Sequence, residues 1–243
     1  MPDSQPAWTD NSPVAVRQVK RFIHRIPGVG GLARYVAQKF RDARVKSTAS
    51  YWETRYRTGD SSGVGSYGVL AHFKAEVINS FVHRNRVASV IELGCGDGAQ
   101  LGLAQYPAYV GIDLSPTAVA RCKERFAGDA SKRFFALAAA SDYRGTYDLA
   151  LSLDVVYHLL EDDVFADHMR TLFSLAGKYV IIYSTNYDGP GHRAHIRHHA
   201  VTDWVAEHAP EWVQIDFIRN RYPYDRQRPA ETSFADFYHF GRR

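Results

Sequence analysis

Three groups of residues in this chain have types and spacings that can do chemistry. The first is Glu92-Leu93-Gly94-Cys95-Gly96-Asp97-Gly98. An apolar run that breaks into alternating glycines turns tightly and brings its backbone amides close to a ligand with no side chain in the way. A dinucleotide site would carry its third glycine at position 99, but that residue is Ala99 and the glycine arrives one position early, at Gly98. Nineteen residues after Gly94 the next apolar run ends in Asp113, where one carboxylate can accept from both hydroxyls of a ribose. The second group is Asp154, Tyr157 and His158, just past the run 147–153. If this segment is helical, the i, i+4 spacing puts Asp154 and His158 on one face, so that the carboxylate orients the imidazole. A histidine of ordinary pKa, about 6.5, can then take a proton from a hydroxyl at physiological pH. The third group is His192, Arg193, His195, Arg197, His198 and His199. Four histidines within eight residues invite a zinc reading, but no cysteine lies near them and no metal is expected. His195 is the alternative base, and Arg197 can clamp an anionic or polyhydroxylated acceptor.

These groups sit at the ends of regularly alternating elements. Strand signals fall at 87–93, 108–113, 133–137, 147–153 and 178–184, and helix signals at about 100–106, 116–127 and 161–176. A further amphipathic helix precedes them at 69–84, with Leu70, Phe73, Val77, Ile78, Phe81 and Val82 on one face. Short apolar strands separated by helices predict an α/β, doubly wound sheet that is mostly parallel and covered on both faces. Ser115 and Pro116 are placed to cap and begin the helix at 116. The end of the chain breaks the pattern. After a helix at about 202–208, capped by Thr202, the segments 212–219 and 233–240 read as two strands with no helix between them, a hairpin at the sheet edge.

The pattern E-x-G-x-G-x-G, a following strand that ends in Asp, five β/α units and a closing hairpin resembles the class I S-adenosylmethionine-dependent methyltransferases, over roughly residues 50–243. The resemblance implies a seven-stranded sheet of order 3-2-1-4-5-7-6 and S-adenosylmethionine as cofactor. By matching position, Glu92 and the loop Gly94, Cys95, Gly96 to Gly98 would hold the methionine end, Asp113 the ribose, and Leu114 the adenine face. Members often carry an acidic residue after the third strand for the adenine amino group. Here that stretch is Ala138-Ala139-Ala140, which leaves Asp142 to reach back, or backbone groups to do the work. A His-x-Arg element often lies near the acceptor in such enzymes, and His195-Ile196-Arg197 matches it. Magnesium-dependent members need a second carboxylate after the fifth strand, where this chain has Ser184-Thr185-Asn186. Before the core, Tyr51 to Tyr56 reads as an aromatic helix and Gly59 to Gly68 as a glycine- and serine-rich lid. Tyr51 and Arg55, one turn apart, are placed to meet the cofactor carboxylate or the acceptor.

The acceptor edge is rich in Tyr, His and Arg, among them Tyr157, Tyr187 and Arg197, which suits a hydroxyl on a small molecule or glycan. An amine acceptor, an NAD-dependent oxidoreductase and a non-catalytic cofactor-binding module remain the alternatives. Residues 1–12 have the composition of a disordered tail, residues 13–46 that of a basic amphipathic helical arm, and 47–243 the catalytic domain. Nine Lys and Arg against three acids fall in the first 50 residues, although the whole chain of 243 carries only +4. The basic character belongs to the arm, which can touch an anionic membrane surface; no nucleic-acid partner is expected. Two cysteines cannot build a disulfide framework, and no apolar run reaches 18 residues, so a cytoplasmic protein, membrane-associated only through the arm, is expected. Cys95 reads as a small packed residue of the turn rather than a nucleophile.

Overall fold

The apolar runs pair into one sheet. The computed structural model describes residues 47–139 and 145–243, so the tail 1–12, the arm 13–46 and Asp142 lie outside the described residues. In chain order the helices are α1 (Thr48–Arg57), α2 (Gly68–Arg84), α3 (Pro116–Arg125), α4 (Asp162–Leu175) and α5 (Val201–His208). The strands are β1 (Val90–Leu93), β2 (Tyr109–Asp113), β3 (Lys132–Ala136), β4 (Tyr147–Leu153), β5 (Ala176–Ser184), β6 (Gly189–Pro190), β7 (Arg197–His198), β8 (Trp212–Ile218) and β9 (Asp236–Arg242). The seven-stranded sheet has the order β3-β2-β1-β4-β5-β9-β8, and β6 and β7 form a separate two-residue ribbon. With that ribbon set aside, the order and the closing hairpin are those expected from the sequence. β9 runs antiparallel to both its neighbours, while β1 to β5 are parallel.

The inner strands β1, β2, β4 and β9 are buried on both faces, as is most of β5, while the edge strands β3 and β8 are largely open to solvent. Successive side chains on β4 point to opposite faces. Leu149, Leu151 and Leu153 pack with Phe73, Ile78 and Phe81 of α2, whereas Ala150 packs with Met169, Leu172 and Phe173 of α4. Ser115 caps α3 through a hydrogen bond from the Ala118 amide at 3.1 Å, and Pro116 takes the first helical position without wasting a donor.

Two local expectations are corrected. The helix expected at 100–106 is only a short 3-10 turn, Gln100–Leu103. Gly102 weakens helical propensity there and Pro107 blocks extension, while the Asn79 side chain takes the Leu103 carbonyl and the Gln105 amide. Thr202 does not cap α5, whose N-cap is Ala200. Instead Asn186, just past β5, accepts from the Thr202 amide at 3.0 Å and so supplies the cap from a distance in sequence. Among the described residues no helix is long and apolar enough to cross a membrane.

Candidate active site

The glycine turn after β1 is held by the next strand. Gly94 and Cys95 both donate to the Ile112 carbonyl, at 2.7 and 3.1 Å, and Gly96 donates to Asp113 Oδ2 at 2.9 Å. The other Asp113 oxygen accepts from Ser115 at 2.8 Å, so one carboxylate closes the turn and starts α3. Gly94, Gly96 and Gly98 have φ of 89°, 58° and 74°. At Gly94 a Cβ would collide with Val155, and at Gly96 with Ser62, so only glycine satisfies both the dihedral and the space. Glu92, 5% exposed, accepts from Tyr109 Oη at 2.6 Å. Burial raises the Glu92 carboxyl to about 7 and the Asp113 carboxyl to about 6. Both line a deep cavity of about 70 Å³ together with Gly94, Cys95, Gly96 and Leu114. Cys95 is buried in this wall with its thiol pushed up by Cys122 and by burial, a packed residue rather than a thiolate.

The glycine- and serine-rich loop 59–68 is clasped onto that turn. Asp97 Oδ2 accepts from the Ser62 amide at 3.1 Å and from Tyr67 Oη at 3.0 Å, and the Asp97 amide donates back to Ser62 Oγ at 3.0 Å. Burial opposes ionisation of Asp97, but these donors and the Ala99 amide outweigh it and hold the carboxyl below its usual range. Gly59 and Gly63, at φ of 90° and 102°, let the loop turn back over the site, and Arg121 holds it from α3 through the Asp60 and Tyr56 carbonyls.

Outside the deep cavity lies a cleft of about 500 Å³, within the range that takes a ring-sized ligand. Trp52, Ser62, Ser66, Asp154 and His158 line both spaces and so mark their junction. Here the expected pairing of Asp154 with His158 is overturned. The segment is not an α-helix: Asp154 has φ of 59° and only Val156–His158 forms a 3-10 turn, so the i, i+4 face does not exist. Asp154 is paired instead with Lys74 of α2 at 2.5 Å and accepts from Tyr157 Oη at 2.6 Å. His158 is oriented by the His195 carbonyl, 2.9 Å from its Nδ1. A carbonyl only accepts, so Nδ1 carries the hydrogen in the neutral ring and Nε2 keeps its lone pair. Burial lowers His158 to about 4 and His195 to about 3, leaving both rings neutral at pH 7. His195 stacks between Tyr51 and His158, with centroids 4.6 and 5.5 Å away, and its Nδ1 has no partner.

Other expected residues fall elsewhere. Arg197 is turned away from the cleft, bound to Asp162 at 2.5 Å and to the Leu160 carbonyl at 3.0 Å; Arg193, four residues earlier, lines the cleft in its place. Arg193 lies in the connection between β6 and β7, and Arg197 opens β7, where it pairs with Pro190. Tyr187 is 53% exposed and packs on His198 outside both cavities. Tyr51 lines neither cavity and braces Arg55, while Arg55 lines the outer cleft rather than the cofactor end. Tyr157 does line the cleft. Lys74, Trp52, Ser62, Gln100 and Arg226 also line these spaces and were not singled out in the sequence. Trp52 and Ser62 fall in the aromatic helix and the lid read from the sequence, and Lys74 had a signal of its own: it lies four residues from Leu70 and from Ile78, on the apolar stripe of α2.

A sheet of this order, with a glycine turn after β1 and a buried acid at the end of β2, defines the class I methyltransferase fold. The residues present fit S-adenosylmethionine. The glycine turn lines the deep cavity, two buried carboxylates in its wall stand ready for amino and hydroxyl donors, and Gln100 Oε1 in the same wall lacks a partner. Residues 91–178 match the family model described as a methyltransferase domain. EEF1A lysine methyltransferase 4 of Mus musculus is 28% identical over 182 residues, 65% of this chain and 68% of that protein. Magnesium protoporphyrin IX methyltransferase from Synechocystis PCC 6803, solved with bound SAH, superposes with a TM-score of 0.56 at 15% identity, covering 86% of this chain and all of that one. The N-methyltransferase NodS from Bradyrhizobium japonicum WM9 gives a TM-score of 0.59 at 14% identity over 81% of this chain and 99% of its own. The fold and the matched methyltransferase domain support a class I S-adenosylmethionine-dependent methyltransferase.

Proposed function

We propose that this methyltransferase acts on a hydroxyl of a small molecule or glycan, with His158 taking the proton. The observation that carries the proposal is the fixed tautomer of His158: its Nδ1 is committed to the His195 carbonyl and its ring lies at the junction of the two cavities. When bound, S-adenosylmethionine supplies an electrophilic methyl group on a sulfonium. Glu92, the glycine turn, Asp113 and Leu114 hold it, and the loop 59–68, clasped on Asp97, shields that end from water. His158 Nε2 receives the hydroxyl proton as the oxygen attacks. His195 acts through its carbonyl, and Asp154 presents a carboxylate fixed by Lys74 and Tyr157 at the same junction. A reducing cytoplasm is part of the same reading, supported by two free, buried cysteines.

Transfer to an amine is the second reading, suggested by the lysine methyltransferase and the N-methyltransferase among the relatives. Against it, the cleft carries three arginines, and its carboxylate, Asp154, is already paired with Lys74. Such a wall repels an ammonium. The test is His158→Gln in the full chain. S-adenosylhomocysteine binding should be unchanged, while methyl transfer to para-hydroxyphenyl acceptors falls by about 10²-fold or more. A wild-type rate would remove His158 as the base.

A further inference from the structure

The three arginines of the cleft share a feature that neighbouring arginines lack. Arg197, Arg221 and Arg228 sit nearby and are bound to Asp162, Glu76 and Asp225. Arg55, Arg193 and Arg226 line the cleft, and among the described residues none of them has an acidic partner. The one carboxylate in the same lining, Asp154, is neutralised by Lys74. The cleft therefore holds three uncompensated positive charges, on three different segments: α1, the β6–β7 ribbon and the turn before β9.

Each segment is braced. Arg55 donates from Nε to the Ser61 carbonyl at 2.7 Å and from Nη1 to Tyr51 Oη at 3.2 Å, and its guanidinium lies 5.5 Å from the centre of the Trp52 ring. Two of its five N–H donors are used, so the rest of the fork is free. Arg193 lies in a turn closed by the Ile196 amide on the Arg193 carbonyl at 3.0 Å. Next to Arg226, Thr232 ties the turn by donating to the Arg228 carbonyl at 2.7 Å and accepting from the Asp225 amide at 3.1 Å. Rings fill the space between: His192, Tyr224 and Phe234 stand 5.9 to 6.4 Å apart, and Phe234 meets Tyr157 at 5.1 Å. The charges are felt across the cleft, since Arg193 contributes to lowering His192 and His195, and Arg55 to lowering His158 and His195, in each case after burial.

We infer that Arg55, Arg193 and Arg226 form an anion-binding site within the acceptor cleft, so that the acceptor is a ring-bearing molecule carrying a carboxylate or phosphate beside the hydroxyl to be methylated. The inference rests on the hydroxyl reading above and narrows it. An aromatic wall takes the ring, and guanidinium forks take the anion with charge-assisted, bidentate geometry. An anion seated there also offsets the positive field that opposes protonation of His158. This favours proton transfer to it only when the right acceptor is present.

The test uses the full chain saturated with S-adenosylhomocysteine and four probes that share one phenol: para-hydroxyphenylacetate, para-hydroxyphenyl phosphate, neutral para-hydroxyphenylacetamide and cationic tyramine. Saturation-transfer NMR ranks their binding. At least one anionic probe should bind roughly tenfold or more tightly than the acetamide, with tyramine weakest. Whichever anion binds better identifies the group. In Arg193→Gln/Arg226→Gln that preference should vanish while S-adenosylhomocysteine affinity stays, which confirms folding. Binding of neither anion more tightly than the acetamide, a preference that survives in the double variant, or no binding of either anion at millimolar concentration overturns the inference. Methyl transfer is scored separately: if the anions bind selectively but no methyl reaches oxygen, the hydroxyl reading fails and the anion site stands.

Discussion

Acidification should loosen the cofactor through Glu92. The carboxyl is fully buried, and desolvation raises it from 4.5 to about 7, against the opposing pull of the Tyr109 hydrogen bond and Lys74. The amino and hydroxyl donors of the cofactor favour an ionised acceptor, so binding requires the proton to leave. Below the pKa, affinity falls by tenfold per unit, and at about pH 5.5 S-adenosylhomocysteine should bind roughly 30-fold more weakly than at about pH 8.5 through this group alone. Asp113, at about 6, adds a shallower loss of roughly fourfold over the same span. The stability of the protein without cofactor moves the other way. A carboxyl raised on folding contributes stability that is present below 4.5 and lost as pH rises through about 7, on the order of 3 kcal/mol for Glu92. Glu92→Gln keeps the shape without the ionisation. It should bind S-adenosylhomocysteine more weakly at pH 8, lose most of the pH dependence, and melt higher than wild type at pH 8 in the absence of ligand. Titration calorimetry across this range, with thermal melts alongside, reads all three. A wild-type affinity that is flat from pH 5.5 to 8.5, or a Gln variant with an undiminished pH slope, would refute the reasoning.

Further outcomes follow from other contacts. Lys74→Met leaves the Asp154 carboxylate without its partner and should destabilise the protein by about 3–5 kcal/mol in urea titrations, with much of the loss recovered in Lys74→Met/Asp154→Asn. Asp97→Asn weakens the clasp on loop 59–68, and amides of that loop should exchange with deuterium roughly tenfold faster than in wild type while β1 and β4 amides are unchanged. Gly96→Ala puts a methyl group against Ser62 at a left-handed φ, and should abolish measurable S-adenosylhomocysteine binding while leaving the far-UV circular dichroism intact.

The donor half of the site is legible in the sequence because it is local. Glu92, the three glycines and Asp113 span little more than one β-turn-β step, and their types follow from backbone dihedrals and burial that the strand pattern already implies. The acceptor half is assembled from segments far apart in the chain, and there the sequence misleads in specific ways. Spacing alone put Asp154 and His158 on one helical face, but a left-handed Asp154 breaks the helix and sends its carboxylate to Lys74, 80 residues earlier. Arg197 matches the clamp in the sequence, but in the fold it pairs with Asp162 and it is Arg193 that lines the cleft. Arg226 is not picked out by type or spacing: its segment 220–232, the hairpin connection, is expected from the sequence at the acceptor edge, but one Arg in a polar turn with Pro reads the same whichever way it points.

The central claim is that the methyl group goes to oxygen. The most direct measurement supplies cofactor with an isotopically labelled methyl carbon to the full chain, with para-hydroxyphenylacetate and tyramine offered together, and reads the labelled carbon by NMR. A methyl ether on the anionic phenol, absent in His158→Gln, is the predicted result. Label on the tyramine nitrogen, with none on oxygen, would contradict the account.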